Sequence, residues 1–261
     1  MIRPVSKQVS IARMRELGIA PDRDLGQNFL IDDNVLGMVG RMLDLDPSDV
    51  VLEVGPGLGV LTRWLAERVA LVHAIEIDRR LEPALAVTLD GIDNVRLQFA
   101  DAMRVDLAAL RPAPLALVAN LPYNVATPLI METLPICPRV CVMVQREIAA
   151  RLFAQPGVKA YGAVSVLVQL CSRRIATRPV SRNVFTPVPN VDSALVAFER
   201  FGELVLSPDW PRLSQLVHGA FAHRRKRLDN SLELAGLPAP PAGLAHLRAE
   251  QLAPQQFLEL L

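Results

Sequence analysis

Four consecutive residues, Asn120-Leu121-Pro122-Tyr123, combine an amide, a rigid turn and an aromatic ring. An amide oxygen and a nearby main-chain carbonyl can both accept hydrogen bonds from one amine. An amine attached to an aromatic ring is a poor nucleophile, because its lone pair is delocalised into the ring. Two acceptors draw such a nitrogen toward tetrahedral geometry and free the pair for attack on a methyl group. Pro122 fixes the turn that points a carbonyl inward, and Tyr123 offers a face on which a flipped base can stack. No strong general base is needed, since the proton can leave after the transfer. Asn120, Leu121, Pro122 and Tyr123 are therefore the expected catalytic segment. Phe185, held between prolines in Asn183-Val184-Phe185-Thr186-Pro187-Val188-Pro189, is expected to stack on the other face of the base.

A second group of residues has the chemistry of a nucleoside site. Glu53-Val54-Gly55-Pro56-Gly57-Leu58-Gly59 follows an apolar run and places three glycines where a strand turns into a helix. Glycine permits the tight curvature and the close approach of a ligand to main chain. The spacing is G-x-G-x-G, not the G-x-G-x-x-G of pyrophosphate binders. Glu76, 21 residues after Gly55, ends the next strand, where a carboxylate can accept from ribose hydroxyls. Asp101 ends the third, where an acid can accept from an adenine amino group. Glu53 and Asp101 add negative charge, which suits a sulfonium better than a pyrophosphate. The expected cofactor is S-adenosyl-L-methionine, bound through Gly55, Gly57, Glu76, Asp101 and Asn120. Asp78 competes for the ribose role but reads better as a cap for the segment beginning at Arg79.

These residues require strand ends to position them. Apolar runs at Val50–Val54, Leu71–Ile77, Val95–Ala100, Leu115–Asn120 and Val140–Val144 read as strands. Helical patterns at 34–45, 58–69, 79–89, 125–134, 147–153 and 161–172 separate or follow them. Arg174–Val180 and Ala194–Phe201 complete the set. Strands alternating with helices give a mostly parallel sheet. After Ser207-Pro208 no strand is evident, and Trp210–Phe221, Arg224–Leu234 and Gln255–Leu261 suit helices. The expected organisation is a catalytic domain over 1–206 and a helical domain over 207–261.

Bulk properties are compatible with this. Half of the 261 residues are apolar and the net charge is only +1. That total hides an asymmetry. From Asp44 to Arg111 there are twelve acids against seven Lys/Arg, whereas from Arg139 to Asn190 eight Lys/Arg face one acid, Glu147. Such a split points to a polyanion on the basic side. Cys137, Cys141 and Cys171 form no C-x-x-C pair and read as reduced thiols in a cytoplasmic protein. His73, His218, His223 and His246 lack metal-ligand spacing, so no metal is expected. No secretory leader is evident, and prolines interrupt the uncharged stretch from Pro112 to Met131, so no membrane span is expected.

The motifs together resemble the ribosomal RNA adenine N6,N6-dimethyltransferases, over nearly the whole chain. Gly26-Gln27-Asn28-Phe29-Leu30 is similar to the family's N-terminal motif that closes over the cofactor, which adds Asn28 and Leu30 to the cofactor-binding set. Glu53 to Gly59, Glu76, Asp101, Asn120 to Tyr123 and Phe185 to Pro189 fall on its other motifs. Phe221-Ala222-His223-Arg224-Arg225-Lys226-Arg227-Leu228 resembles the basic helix of its C-terminal domain, implying RNA contacts by Arg224, Arg225, Lys226 and Arg227. The sequence departs from the family at Ala100, where Gly is usual, and at Ala222-His223, where Gly-Gln is usual.

The resemblance implies a Rossmann-like, seven-stranded class I S-adenosylmethionine-dependent methyltransferase domain, with one antiparallel strand and a small helical C-terminal domain. It implies dimethylation of two adjacent adenosines in the 3′-terminal hairpin of 16S rRNA, in the 30S subunit or its precursor, by a monomer active in ribosome biogenesis. Two alternatives are a 23S rRNA adenine N6-methyltransferase of the macrolide-resistance type, and an assembly or transcription factor on the same fold. The Phe185-x-Pro-x-Pro loop and Arg224–Arg227 favour the small-subunit branch, and intact Glu76, Asp101 and Asn120 argue for an enzyme.

Overall fold

Seven strands form the central sheet of a computed structural model, which describes residues 12, 14–22, 25–122 and 125–261. Following a short strand β1 (Phe29–Leu30), they are β2 (Val50–Val54), β3 (Leu71–Glu76), β4 (Val95–Phe99), β5 (Ala116–Asn120), β6 (Arg139–Gln145), β7 (Ser172–Val180) and, after a two-residue β8 (Phe185–Thr186), β9 (Ser193–Arg200). Their order is β4-β3-β2-β5-β6-β9-β7. β2 pairs in parallel with β3 and β5, β3 with β4, and β5 with β6, whereas β9 runs antiparallel to β6. The expected seven-stranded architecture with an antiparallel strand is the one observed.

Burial follows strand position. Every residue of β2 is buried, as is all but the first of β3, because helices cover both faces of a parallel sheet. At the edges, β4 alternates between half-buried and exposed, and β7 exposes most of its length and carries Pro179, which a central strand would not tolerate. The chain leaves β2 to build β3 and β4 on one side, then returns to place β5 on the other. A parallel sheet whose order reverses in this way opens a crevice outside the carboxyl ends of its strands.

The helices are α1 (Asp33–Leu43), α2 (Val60–Ala66), α3 (Glu82–Thr88), α4 (Ala126–Thr133), α5 (Arg146–Leu152), α6 (Ala163–Cys171), α7 (Trp210–Ala222), α8 (Leu228–Leu234) and α9 (Ala242–Ala245). Asp32 caps α1 by accepting from Asn34 and Val35, at 2.9 and 3.3 Å. α1 stops before the expected Leu45, because Asp44 turns left-handed with φ 47°. Asp78 caps the 3₁₀ turn Arg79–Leu81 that leads into α3, the role expected of it.

The described chain divides into two units by its internal contacts. One comprises residues 1–146 and 174–199, the other 147–173 and 200–261. The expected boundary at 206/207 lies a few residues past this division, which also gives the second unit residues 147–173. In that unit Tyr161 donates to the Leu252 carbonyl at 2.7 Å and meets Phe221 edge-on, and Phe221 stacks on Phe257. Tyr161, Phe257, Leu213, Leu216 and Leu232 are buried, and half-buried Phe221 joins the two rings, which are far apart in sequence.

Two segments of the second unit differ from expectation. Arg224–Arg227 is not helical: α7 ends at Ala222, the four basic residues form the connecting turn, and α8 begins at Leu228. The C-terminal segment expected as a helix is a 3₁₀ run, Pro254–Leu260. Among the described residues no helix is long and apolar enough to cross a membrane.

Candidate active site

The ends of β2, β3, β4 and β5 converge on one cleft with about 860 Å³ of empty space, its open mouth included. It lies within the first unit and is lined by Gln27, Asn28, Gly55, Gly57, Glu76, Asp101, Asn120, Leu121 and Pro122, among others. Asn28, Gly55, Gly57, Glu76, Asp101, Asn120, Leu121 and Pro122, all singled out in the sequence, are therefore together. A nucleoside-sized ligand suits a cleft of this size.

The glycine turn is built from strand ends. Gly55 donates to the Ile75 carbonyl at 2.9 Å, tying the loop after β2 to β3. Gly57 has φ 60°, and a Cβ there would come within 3.0 Å of the Phe29 ring. Both the left-handed backbone and the lack of space demand glycine. Glu76 accepts from the Gly57 N–H at 3.0 Å and from the Asp78 N–H at 2.9 Å. A carboxylate has about four acceptor positions, so ribose hydroxyls can add to these two. Burial pushes its pKa up, the Asp78 and Gly57 N–H bonds oppose that, and the Asp78 charge adds to it.

Asp101 accepts from the Met103 N–H at 3.0 Å and faces Arg104 at 3.5 Å. Beside it, Ile77 and Met103 are 51 % and 39 % exposed and line the cleft, giving apolar walls for a planar ring. The sequence singles out neither. Ile77 reads there as the last residue of a strand, although an apolar residue directly after a strand-end acid is the available signal.

At the catalytic segment, the Asn120 side-chain amide donates to the Asn28 main-chain carbonyl at 3.0 Å. This fixes which end of the amide is the donor and leaves Oδ1 as the acceptor end. The Leu121 N–H is bonded to Met143, and the Pro122 carbonyl accepts from Val125 at 3.2 Å. Tyr123 lies outside the described residues.

Two expected site residues are placed elsewhere. Phe185 is 0 % exposed, a member of the main core cluster, and its strand pairs antiparallel with β1, Leu30 opposite Phe185. It offers no open face to a base in this structure. The prolines that suggested a rigid display loop instead hold a core anchor. Leu30 is also buried in that cluster and does not line the cleft; it borders a small adjoining cavity with Glu53, Phe29 and Asn120.

Glu53 is the acid expected to add negative charge beside the cofactor. It is buried, and its Oε2 has no hydrogen-bond partner. Burial pushes its pKa up to about 8, with the Thr62 hydroxyl opposing and the Glu76 charge adding to the shift. The Thr62 hydroxyl is itself without a full hydrogen bond. The raised pKa leaves Glu53 largely uncharged at neutrality, so the charge that suits a cationic ligand comes from the carboxylates of Glu76 and Asp101 in the cleft wall. Among the described residues no group of three or more His, Cys, Asp or Glu could hold a metal.

In the basic turn the four residues are not equivalent. Arg224 donates to Glu250 at 2.8 Å and to the carbonyls of Lys159 and Val158, at 2.7 and 3.3 Å. Arg227 pairs with Asp229 at 2.6 Å. Arg225 and Lys226 are exposed.

Comparison with known proteins gives a consistent set of relatives. A family model described as Ribosomal RNA adenine dimethylase matches residues 21–243. The chain is 45 % identical over 254 residues to Ribosomal RNA small subunit methyltransferase A of Rubrobacter xylanophilus, covering 92 % of this chain and 94 % of that one. It is 39 % identical over 271 residues to the protein of the same name from Lactiplantibacillus plantarum, covering 95 % and 92 %. Among solved structures, a dimethyladenosine transferase from Plasmodium falciparum has the same fold, with a TM-score of 0.73, 24 % identity and coverage of 89 % and 96 %. The 23S rRNA methyltransferase ErmE superposes with a TM-score of 0.66 at 26 % identity, covering 89 % and 98 %.

Proposed function

We infer the activity from one premise: the chain belongs to the ribosomal RNA adenine dimethylase family. It is a methyltransferase that uses S-adenosyl-L-methionine. The substrate we propose is the small-subunit RNA, in the 30S particle or its precursor, at two adjacent adenosines of the 3′-terminal hairpin. Identities of 39–45 % over 92–95 % of this chain to relatives named as small-subunit methyltransferases support this choice. The protein would act as a cytoplasmic monomer in ribosome assembly.

The residues present fit the cofactor. Gly55 and Gly57 would leave room for it, Glu76 would accept from its ribose hydroxyls and Asp101 from its adenine amino group, with Ile77 and Met103 as apolar walls. Asn28 and Asn120 would hold its amino-acid end, and Leu30, paired with Phe185, supports the segment that carries Asn28. When bound, the cofactor supplies an electrophilic methyl group on a sulfonium.

The observation that carries the reading is the Asn120 amide, oriented by the Asn28 carbonyl at the rim of that same cleft. Asn120 Oδ1 accepts one hydrogen from the adenine N6 amine. A main-chain carbonyl of the Asn120–Pro122 turn is the second acceptor. Pro122 fixes the turn between them, and Tyr123 stacks on the base. Both acceptors are in place before the nitrogen gains positive character, so no reorganisation is needed as it does. Rotation of the monomethyl amine presents its remaining hydrogen for a second transfer. The second unit, through Arg225 and Lys226 of its basic turn, contacts RNA phosphates, with Arg227 paired to Asp229 and Arg224 tied to Glu250 beside them.

Tritiated-methyl transfer to isolated 30S particles, followed by nucleoside analysis, tests this. The expected product is N6,N6-dimethyladenosine in the small-subunit RNA. Asn120→Ala is expected to lower the single-turnover rate roughly a hundred- to thousandfold while cofactor binding persists. Label appearing in 23S RNA, or a final product of monomethyladenosine, would overturn the assignment.

A further inference from the structure

The catalytic Asn120 does not set its own orientation. Its amide nitrogen donates to the main-chain carbonyl of Asn28, 92 positions earlier, in the segment Leu25–Phe29 that lines the cleft. An amide can turn over and exchange its donor and acceptor ends. Only while that carbonyl stays in place is the oxygen end kept for the substrate amine.

The segment carrying Asn28 is held by a polar network. The Gln27 side chain accepts from the Asp22 N–H at 2.8 Å and donates to Asp78 at 2.7 Å. Arg80 grips Asp78 through two nitrogens, both at 2.8 Å, and reaches Asp22 at 2.7 Å. The Asn28 side chain closes back on the Gly26 carbonyl at 3.0 Å. Asp78 is anchored in turn, since its N–H is bonded to Glu76 and it caps the turn after β3. The Arg80 and Gln27 bonds hold its carboxyl below the ordinary range, so it is charged at neutrality. Charge-assisted bonds of this kind are the strong ones. Sequence position gives no hint of the arrangement: Asp22, Gln27, Asp78 and Arg80 have no motif in common.

We propose that Gln27, with the Asp22–Asp78–Arg80 network, is a positioning element for the methyl-transfer step: it holds the Asn28 carbonyl where that carbonyl orients Asn120. The inference rests on the reading of Asn120 as an acceptor of the target amine. It assigns the segment a part in catalysis separate from covering the cofactor. Gln27 and Arg80 touch neither reacting atom and act only through Asn120.

A double-mutant cycle measures this coupling. Gln27→Ala removes two bonds of the network. Asn120→Asp keeps an acceptor oxygen and deletes the donor to Asn28. Single-turnover methylation is measured at saturating cofactor, with cofactor affinity determined separately by calorimetry. Gln27→Ala is expected to slow the wild-type rate roughly ten- to a hundredfold, the range for displacing a reacting group by up to 1 Å. In the Asn120→Asp background the same change is expected to have less than about a twofold further effect, because the bond it acts through is already gone. Arg80→Ala, at a largely exposed side chain, gives a second route should Gln27→Ala fold poorly, and should show the same pattern.

An unchanged rate for both Gln27→Ala and Arg80→Ala at saturating cofactor would overturn the proposal. So would equal factors in the two backgrounds, which indicate a general structural effect. Near-wild-type methylation by Asn120→Ala removes the underlying reading of Asn120. A slow Asn120→Ala protein with additive Gln27 effects removes only the positioning role.

Discussion

Two buried carboxyls in this protein behave differently because of what surrounds them. Glu76 accepts two main-chain N–H bonds, whereas Glu53 has an oxygen with no partner and a pKa raised to about 8. For Glu53 the folded value lies above the unfolded one, near 4.5. The stability this contributes is fully present below pH 4.5 and is lost as pH rises through about 8. Denaturant midpoints measured from pH 4.5 to 9 should therefore fall less steeply for Glu53→Gln than for the native chain, and parallel curves would refute the raised pKa. For Glu76→Ala, loss of the ribose bonds should weaken cofactor binding by roughly 1.5–3 kcal/mol. Because Glu76 also holds Gly57 and Asp78, a lower melting temperature should accompany it. Affinity unchanged by calorimetry would remove Glu76 from the cofactor site.

At the scale of elements, the short pair of strands β1 and β8 does more than its length suggests. It joins the start of the chain to the loop after β7, and Phe185 fixes that junction in the core. Removing so large a buried ring leaves a cavity. Phe185→Ala should cost roughly 3–5 kcal/mol of stability, read from urea unfolding. A stacking residue on an open loop would cost little stability and would lower RNA affinity instead. A variant as stable as the native chain would return Phe185 to that role. The same pairing places Asn28 next to β1, so the element that packs Phe185 also helps fix the carbonyl that Asn120 needs.

For the molecule as a whole, the net charge of +1 conceals where RNA can be held. The four cations of the basic turn divide by their partners. Arg224 ties the turn to the carbonyls of Val158 and Lys159 and to Glu250, all within the second unit, while Arg225 and Lys226 stand exposed. Neutralising Arg225 and Lys226 together should reduce the slope of log affinity against log salt by roughly 0.7–0.9 for each phosphate they no longer neutralise, with thermal stability unchanged. Arg224→Ala should instead lower the melting temperature of the second unit. An unaltered salt slope in the Arg225, Lys226 double variant would make this turn an ordinary solvated surface.

The sequence alone determined most of what lies on strand ends. A buried parallel strand is a continuous apolar run, and the residue after it must stand at the rim, so Gly55, Glu76, Asp101 and Asn120 could be placed on one site without coordinates. The local signal at Asp78 was equally legible, because capping involves neighbours in the chain. What the sequence could not decide depended on contacts between distant segments. Phe185 looked like a display residue because prolines flank it, and only its packing with β1 made it core. Arg224 to Arg227 matched a helical pattern, but the chain turns there, and Arg224 is occupied by residues 65 and 26 positions away. Glu53 read as a source of negative charge, but its burial left an oxygen without a partner and raised its pKa to about 8. The bond from Asn120 to the Asn28 carbonyl involves a main-chain atom, which carries no residue identity, and so leaves no mark in the sequence at all.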